Sequence, residues 1–251
     1  MRGLKGKRVI VTGGASGIGR AACLRLAEEG CVVAVFDRDE DGARRTAADC
    51  VGGSAEAYAV DITDEAQVET AVAAFDAGGA IDGLANVAGW DKGALFLDTD
   101  RALWDRVIQI NLYGPLNMHK SVLRRMRDRK AGRVVNVASD AGRVGSSGEG
   151  VYSACKGGLI AFTKTMAREM ARSGVTLNVL CPGPTDTPLF QGFTEDMAGG
   201  DKLKEGLARA IPLRRLGEPG DYPGMIAFLL SDDASFMTGQ AISISGGLTM
   251  S

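Results

Sequence analysis

The sequence of 251 residues contains one histidine, His119. Metal sites built from several histidines are therefore excluded. A serine hydrolase would have to use His119, which falls inside a helical stretch and reads as a structural residue. The five cysteines, Cys23, Cys31, Cys50, Cys155 and Cys181, form no Cys-x-x-Cys pair, and their number is odd. Scattered reduced thiols fit that pattern better than a disulfide framework or a zinc site, so no metal is expected. Neither sign of charge is in excess: 29 Lys and Arg stand against 31 Asp and Glu, a net charge of −2. Nucleic acids and anionic membranes call for a basic signature, and neither is expected as a partner. No apolar run approaches the ~20 residues that cross a bilayer. The opening Met1-Arg2-Gly3-Leu4-Lys5-Gly6-Lys7 lacks the apolar stretch of a signal peptide, which points to a cytoplasmic protein.

Glycine is plentiful instead. There are 35 glycines, about twice the usual ~7% share. They follow no collagen-like period and cluster at turns. Apolar residues make up 45% of the chain, enough for a substantial core. Short β-branched runs alternate with longer amphipathic stretches. Strands are predicted at Arg8–Thr12, Val32–Phe36, Ala55–Val60, Gly83–Val87, Arg133–Ala138, Val175–Cys181 and Ala241–Ser245. Helices are predicted at Gly17–Glu29, Glu40–Cys50, Glu65–Ala77, about Arg101–Asp128, Val151–Ser173 and Pro219–Leu230. Near-continuous apolar strands between helices mean a parallel sheet covered on both faces. No linker divides the alternation. The fold class is therefore α/β: one domain over 1–251, a doubly wound Rossmann fold with seven parallel strands. The segment 186–211 breaks the pattern. With Pro188, Gly192, Gly199 and Gly200 inside it, it reads as an irregular, mobile substrate lobe.

The first strand runs into Thr12-Gly13-Gly14-Ala15-Ser16-Gly17-Ile18-Gly19, which opens a helix. Glycines 13, 17 and 19 permit a tight turn and close approach of backbone to a pyrophosphate. The helix N-terminus offers that anion free N–H groups. In strand–turn–helix context the motif is a strong dinucleotide signal. Asp37 ends the second strand, where an acidic residue accepts hydrogen bonds from a ribose 2′-OH and repels a 2′-phosphate. Arg38 could bind that phosphate, but Ala15 and Ser16 offer no basic help, so NAD is favoured over NADP. Asp37 could also cap the following helix. Asp61-Ile62 and Asn86-Val87-Ala88-Gly89 lie at the carboxyl ends of the third and fourth strands, where ligands bind in open α/β sheets.

Tyr152 and Lys156 are i and i+4 on a helix, so they project from one face. Ser139 closes the preceding strand. A phenol with pKa near 10 is only ~0.1% ionised at pH 7, and bringing it to about 7 takes roughly 4 kcal/mol. An ammonium within about 4 Å supplies that order at an effective dielectric near 20. Tyr152 could then exchange a proton with a substrate hydroxyl during hydride transfer, with Ser139 holding the oxygen.

With these motifs in place, the chain resembles the short-chain dehydrogenase/reductase family from about Leu4 to Met250. Asn86 with Ala88-Gly89, Asn111-x-x-Gly114, Ser139, Tyr152-x-x-x-Lys156 and Pro182-Gly183 carry the likeness beside the Gly-rich loop. The resemblance implies a tetrad of Asn111, Ser139, Tyr152 and Lys156, with Asn111 holding a helix distortion and a water that links the lysine to solvent. It implies that Thr185 and Thr187, after Pro182-Gly183, meet the nicotinamide amide and phosphates. It also implies a homotetramer built on the helices at about 101–128 and 151–173. One departure is Val87, where the family has a second asparagine. A regulator that only senses NAD would be expected to lose the tyrosine or lysine, and this chain keeps all four tetrad positions; a structural or chaperone-like subunit is the other alternative, and an assay of hydride transfer separates both from an enzyme.

The substrate pocket is expected among Trp90–Phe96, Asp140–Gly150 and the 186–211 lobe, with Leu95, Phe96, Val144, Leu189 and Phe190 as its apolar members. The Gly89-Trp90-Asp91, 139–149, 181–187 and 245–250 segments are similar to those of family members that oxidise a ring hydroxyl β to a CoA thioester. That implies an acyl-CoA substrate, with Arg143, Lys202 and Lys204 as candidate cationic contacts. The alternative is a 3-oxoacyl-acyl-carrier-protein reductase, whose usual NADPH preference Asp37 opposes.

Overall fold

Alternation along each apolar run decides the architecture. In a computed structural model of the chain, Val9 and Val11 of the first strand pack into one hydrophobic layer, while Ile10 between them packs into the other. Val33 and Val35 of the second strand likewise oppose Ala34 and Phe36. A strand with apolar residues at every position needs cover on both faces, and helices supply it. The structure describes residues 1–196 and 199–250. Met197 and Ala198, within the expected lobe, and Ser251 lie outside the described residues.

The strands are β1 Arg8–Thr12, β2 Val32–Asp37, β3 Ser54–Ala59, β4 Gly83–Asn86, β5 Gly132–Val137, β6 Val175–Pro182 and β7 Ala241–Ile244. All pair in parallel in one sheet, in the order β3-β2-β1-β4-β5-β6-β7. The chain thus runs outward to β3, crosses back and continues to the other edge. The point of reversal lies between β1 and β4, where a doubly wound sheet opens a crevice at the strands' carboxyl ends. Helices α1 (Gly17–Glu28), α2 (Glu40–Asp49) and α3 (Glu65–Ala77) join the first four strands. Then come α4 (Arg101–Ile108), α5 (Gly114–Arg129), the short α6 (Ala141–Val144), α7 (Gly150–Met170), α8 (Pro188–Asp196), α9 (Gly200–Ala210) and α10 (Pro223–Leu230). One layer of the core holds α1 and α10, with Leu26 and Ile226 against the sheet. The other holds α3 and α5, with Val72, Phe75, Met118 and Val122.

Two segments differ from the sequence expectation. The long helix at 101–128 is two helices joined by a π-helical turn at Gln109–Tyr113. The lobe at 186–211 is not irregular: it holds α8 and α9. Pro188 fits the first turn of α8, where no N–H is needed, and the Thr187 hydroxyl accepts from Phe190 N–H at 3.2 Å. Gly199, left-handed at φ 80°, leads into α9. β3 and β7 are the edge strands: every residue of β7 is half-buried, and β3 mixes exposed with half-buried residues.

Candidate active site

The Gly-rich turn after β1 is built by close contacts that exclude side chains. A Cβ on Gly19 would lie 2.0 Å from the Gly13 carbonyl oxygen, and one on Gly13, at φ 70°, would lie 2.8 Å from the Ala88 Cα. The turn therefore seats α1 directly over the end of β4. Ser16 is the N-cap of α1, in extended conformation, and its side chain makes no capping bond. The first-turn N–H groups of α1 are left for an anion. The Thr12 hydroxyl ties the other side of the turn, accepting from Val87 N–H at 3.0 Å and Ala88 N–H at 3.2 Å. The sequence reading did not single out Thr12. A hydroxyl at the end of a strand that enters a Gly-rich turn was the available signal.

A cavity of about 1090 Å³ opens at this crevice. Gly13, Ser16, Gly17, Ile18 and Gly19 line its first end with Asp37 and Arg38. Asp61, Ile62, Ala88 and Gly89 form its middle, and Pro182, Gly183, Thr185 and Thr187 close the opposite wall. Ser139, Tyr152 and Lys156 lie in the same cavity. The Asp37 carboxylate accepts from Ala15 N–H at 3.0 Å and from Asp39 N–H at 2.9 Å. It does not cap α2; Asp39 does, through Gly42 N–H. Asp37 instead pins the Gly-rich turn to the end of β2, and Arg38 is exposed beside it. The Asp61 carboxylate accepts from the N–H and hydroxyl of Thr63 at 2.9 and 2.8 Å.

The Tyr152 ring is buried with a hydrogen bond to Ser139. The Ser139 hydroxyl also accepts from Ala141 N–H at 3.1 Å, starting α6. Lys156 is buried, and its ammonium donates to the Val137 carbonyl at 3.1 Å. It lies 5.4 Å from the centre of the Tyr152 ring. Burial pushes the lysine down to about 8. The tyrosine moves opposite to the sequence expectation. Burial, with Glu149 and Asp91 adding to it, pushes the phenol well above its ordinary value. The ammonium is held by a backbone carbonyl, so in this arrangement desolvation outweighs it.

Two residues of the expected site are held by bonds within the protein. The Asn86 side chain is buried and donates to Asn136 Oδ1 at 2.9 Å, bridging β4 and β5. It bridges the strand ends behind the cavity lining, and its Oδ1 is left without a partner. Asn111 is also fully buried. It sits in the π-helical turn, where its amide donates to Trp90 O at 2.6 Å and Val107 O at 2.9 Å and accepts from Trp90 N–H at 3.2 Å. It clamps the loop that carries Trp90 and Asp91. Thr185 lines the cavity, but its hydroxyl already bonds Tyr222 and the Gly183 carbonyl.

Trp90, Val144, Leu189 and Phe190 line the far end of the cavity, whereas Leu95 and Phe96 are exposed outside it. Lys202 and Lys204 do not line it. Leu203 and Leu207, on the inner face of α9, do. Arg143 turns toward β7, donating to the Ser243 hydroxyl at 2.6 Å. Arg106 also lines the cavity, 3.9 Å above the Trp90 ring, a cation that the sequence reading missed. Among the described residues no group of three or more His, Cys, Asp or Glu could hold a metal ion. No helix among them is long and apolar enough to cross a membrane.

Residues 13–249 match a family model described as enoyl-(acyl carrier protein) reductase. The chain is a short-chain dehydrogenase/reductase. It is 36% identical over 250 residues to the 3-oxoacyl-[acyl-carrier-protein] reductase of Thermotoga maritima, covering 98% of this chain and 99% of that one. Among solved structures it superimposes on an NAD⁺-bound xylitol dehydrogenase with a TM-score of 0.93 at 33% identity, covering 98% of this chain and all of the other. A Brucella melitensis 3-ketoacyl-(acyl-carrier-protein) reductase complexed with NADH matches at 0.90 and 30% identity, with 98% and 100% coverage. As a member of this family the chain is an oxidoreductase acting on an alcohol or ketone.

Proposed function

We propose that this reductase/dehydrogenase moves a hydride between NAD and the β-carbon of an acyl thioester, interconverting β-hydroxyacyl and β-ketoacyl groups. The observation that carries the reading is the continuity of one cavity, from the Gly-rich turn and Asp37 to Ser139, Tyr152 and Lys156. The glycine contacts leave a cradle that a Cβ would fill, which suits a dinucleotide pyrophosphate against α1. Asp37 favours an unphosphorylated ribose, Arg38 notwithstanding. When bound, nicotinamide supplies the hydride acceptor and a positive ring charge that opposes the desolvation of Tyr152.

In the oxidising direction Tyr152 takes the substrate hydroxyl proton and Ser139 donates to the same oxygen. Lys156 holds positive charge behind the phenol. Asn111 acts at one remove, by fixing the loop at Trp90. The acyl body would lie against Leu189 and Phe190, where apolar fit is worth roughly 1–3 kcal/mol per methylene. Within this reading we favour a cyclic substrate of the 2-hydroxycyclohexanecarboxyl-CoA type, supported by the segments around Trp90, 139–149 and 181–187. Relatives such as the Thermotoga protein support a second reading, reduction of a 3-oxoacyl-acyl-carrier protein, for which the family resemblance implies NADPH. Both substrates carry oxygen β to a thioester. We also place the protein in the cytoplasm as a homotetramer.

The test is kcat/KM for 2-hydroxycyclohexanecarboxyl-CoA, straight-chain 3-hydroxyacyl-CoA and 3-oxoacyl-acyl-carrier protein, each with NAD(H) and NADP(H). Preference for the cyclic CoA ester with NAD is expected. Preference for the carrier-protein substrate with NADPH would favour the second reading. Equal activity on simple secondary alcohols would overturn both.

A further inference from the structure

Two carboxyls stand beside Tyr152 with no part in the proton transfer. Asp91 follows the Trp90 backbone that Asn111 clamps, and Glu149 is the residue just before α7, three before the tyrosine. Their loops are joined, since Ala94 N–H donates to the Gly148 carbonyl at 3.1 Å. Both residues line the large cavity, and both also line a small hollow beside it. Asp91 is only 8% exposed, and its Oδ2 is buried without a hydrogen-bond partner. A buried carboxyl oxygen left unpaired at a cavity wall is costly unless a ligand or function uses it.

The geometry points to Asp91 and Glu149 as specificity-determining residues: an acidic wall that turns away a free carboxylate and admits the acyl group as a neutral ester or thioester. The inference rests on the thioester reading above, for which it supplies the selecting charge. A β-hydroxy acid whose hydroxyl reaches Tyr152 would bring its carboxylate, two carbons away, against this wall. Like charges in a partly screened site repel, while a thioester carries no charge there. Burial, with Glu149 close by, pushes the Asp91 carboxyl up to about 7. Tyr152, Cys155 and Lys156 also face Asp91, and Arg106 lies over the adjoining Trp90 ring.

The test uses two substrates that differ by one charge, 2-hydroxycyclohexanecarboxylate and its methyl ester, with NAD. The wild type should favour the ester in kcat/KM by about tenfold or more, the size of one partly screened charge repulsion. Asp91→Asn and Glu149→Gln should each lower that ratio, and the double variant should lower it by about tenfold, through KM for the acid. Any general effect on Tyr152 cancels in the ratio. An unchanged ratio in the variants overturns the wall. If a variant does not fold, the wild-type ratio is followed from pH 7 to 6, below the range where Lys156 changes charge. There the wall gains protons and relative activity on the acid should rise; a flat ratio contradicts the proposal. If neither compound turns over, their affinities, read through Trp90 fluorescence in the NAD complex, give the same ratio. Inactivity on every thioester with the charge ratio intact would refute the thioester reading and leave the wall standing.

Discussion

Asp37 holds the Gly-rich turn through Ala15 N–H and lines the cavity, and in the proposed function its carboxylate would also meet the adenosine ribose. Asp37→Ser is therefore expected to narrow or reverse the NAD preference, measured as the ratio of kcat/KM for NAD and NADP. A wild type that already prefers NADP would mean that Arg38 outweighs Asp37. Single residues were legible in the sequence where spacing alone sets their geometry. Tyr152 and Lys156 share a helical face whatever surrounds them, and Ser139 lies just past the carboxyl end of β5. Environment was not legible. The direction in which the Tyr152 phenol shifts depends on Glu149, Asp91 and the burial around them, and these come together only through the fold. Asn86 shows the same limit, because its partner Asn136 is 50 residues away.

Among the elements, α5 carries a charge-sensitive contact. His119 is fully buried between α5 and the rest of the core, bonded to the Pro115 carbonyl and packed edge-on against Phe162 of α7 at 5.0 Å. Burial pushes its imidazole down to about 4. The folded chain then binds fewer protons than the unfolded one, whose histidine titrates near 6.5. This contribution is complete above about pH 6.5 and is lost as pH falls toward 4. Urea midpoints should drop across that window, by an amount on the order of a few kcal/mol at most. In His119→Gln the drop should be smaller; an identical pH slope in the variant would exclude His119 as its source. Strand and helix positions were readable because two-residue and 3.6-residue periods are local. The π-helical turn was not readable from periodicity. It is one extra residue of register in an otherwise continuous helix, made worthwhile by the three bonds of Asn111 to Trp90 and Val107. The lobe misled because its prolines and glycines start and separate two helices, where they could equally have broken them.

At the scale of the whole molecule, the sheet ends in the edge strand β7, and Phe236 and, ahead of α4, Leu97 are among the exposed apolar side chains. Light scattering behind size-exclusion chromatography should give a mass of four 26.2-kDa chains. A monomer at micromolar concentration would contradict the tetramer. The parallel seven-strand sheet follows from the alternation of strands and helices, and the motifs at the strands' carboxyl ends made the location of the site readable before its chemistry; the strand order was seen only in the structure. That chemistry requires the dinucleotide end and the Tyr152 end of one cavity to act together. The most direct test compares wild type with Tyr152→Phe, a change that keeps the ring and removes the transferable proton. NAD-linked oxidation of a β-hydroxyacyl-CoA is measured alongside NADH affinity. The account predicts a loss of at least ~10²-fold in turnover with NADH affinity unchanged. Near-wild-type turnover in the phenylalanine variant would contradict it.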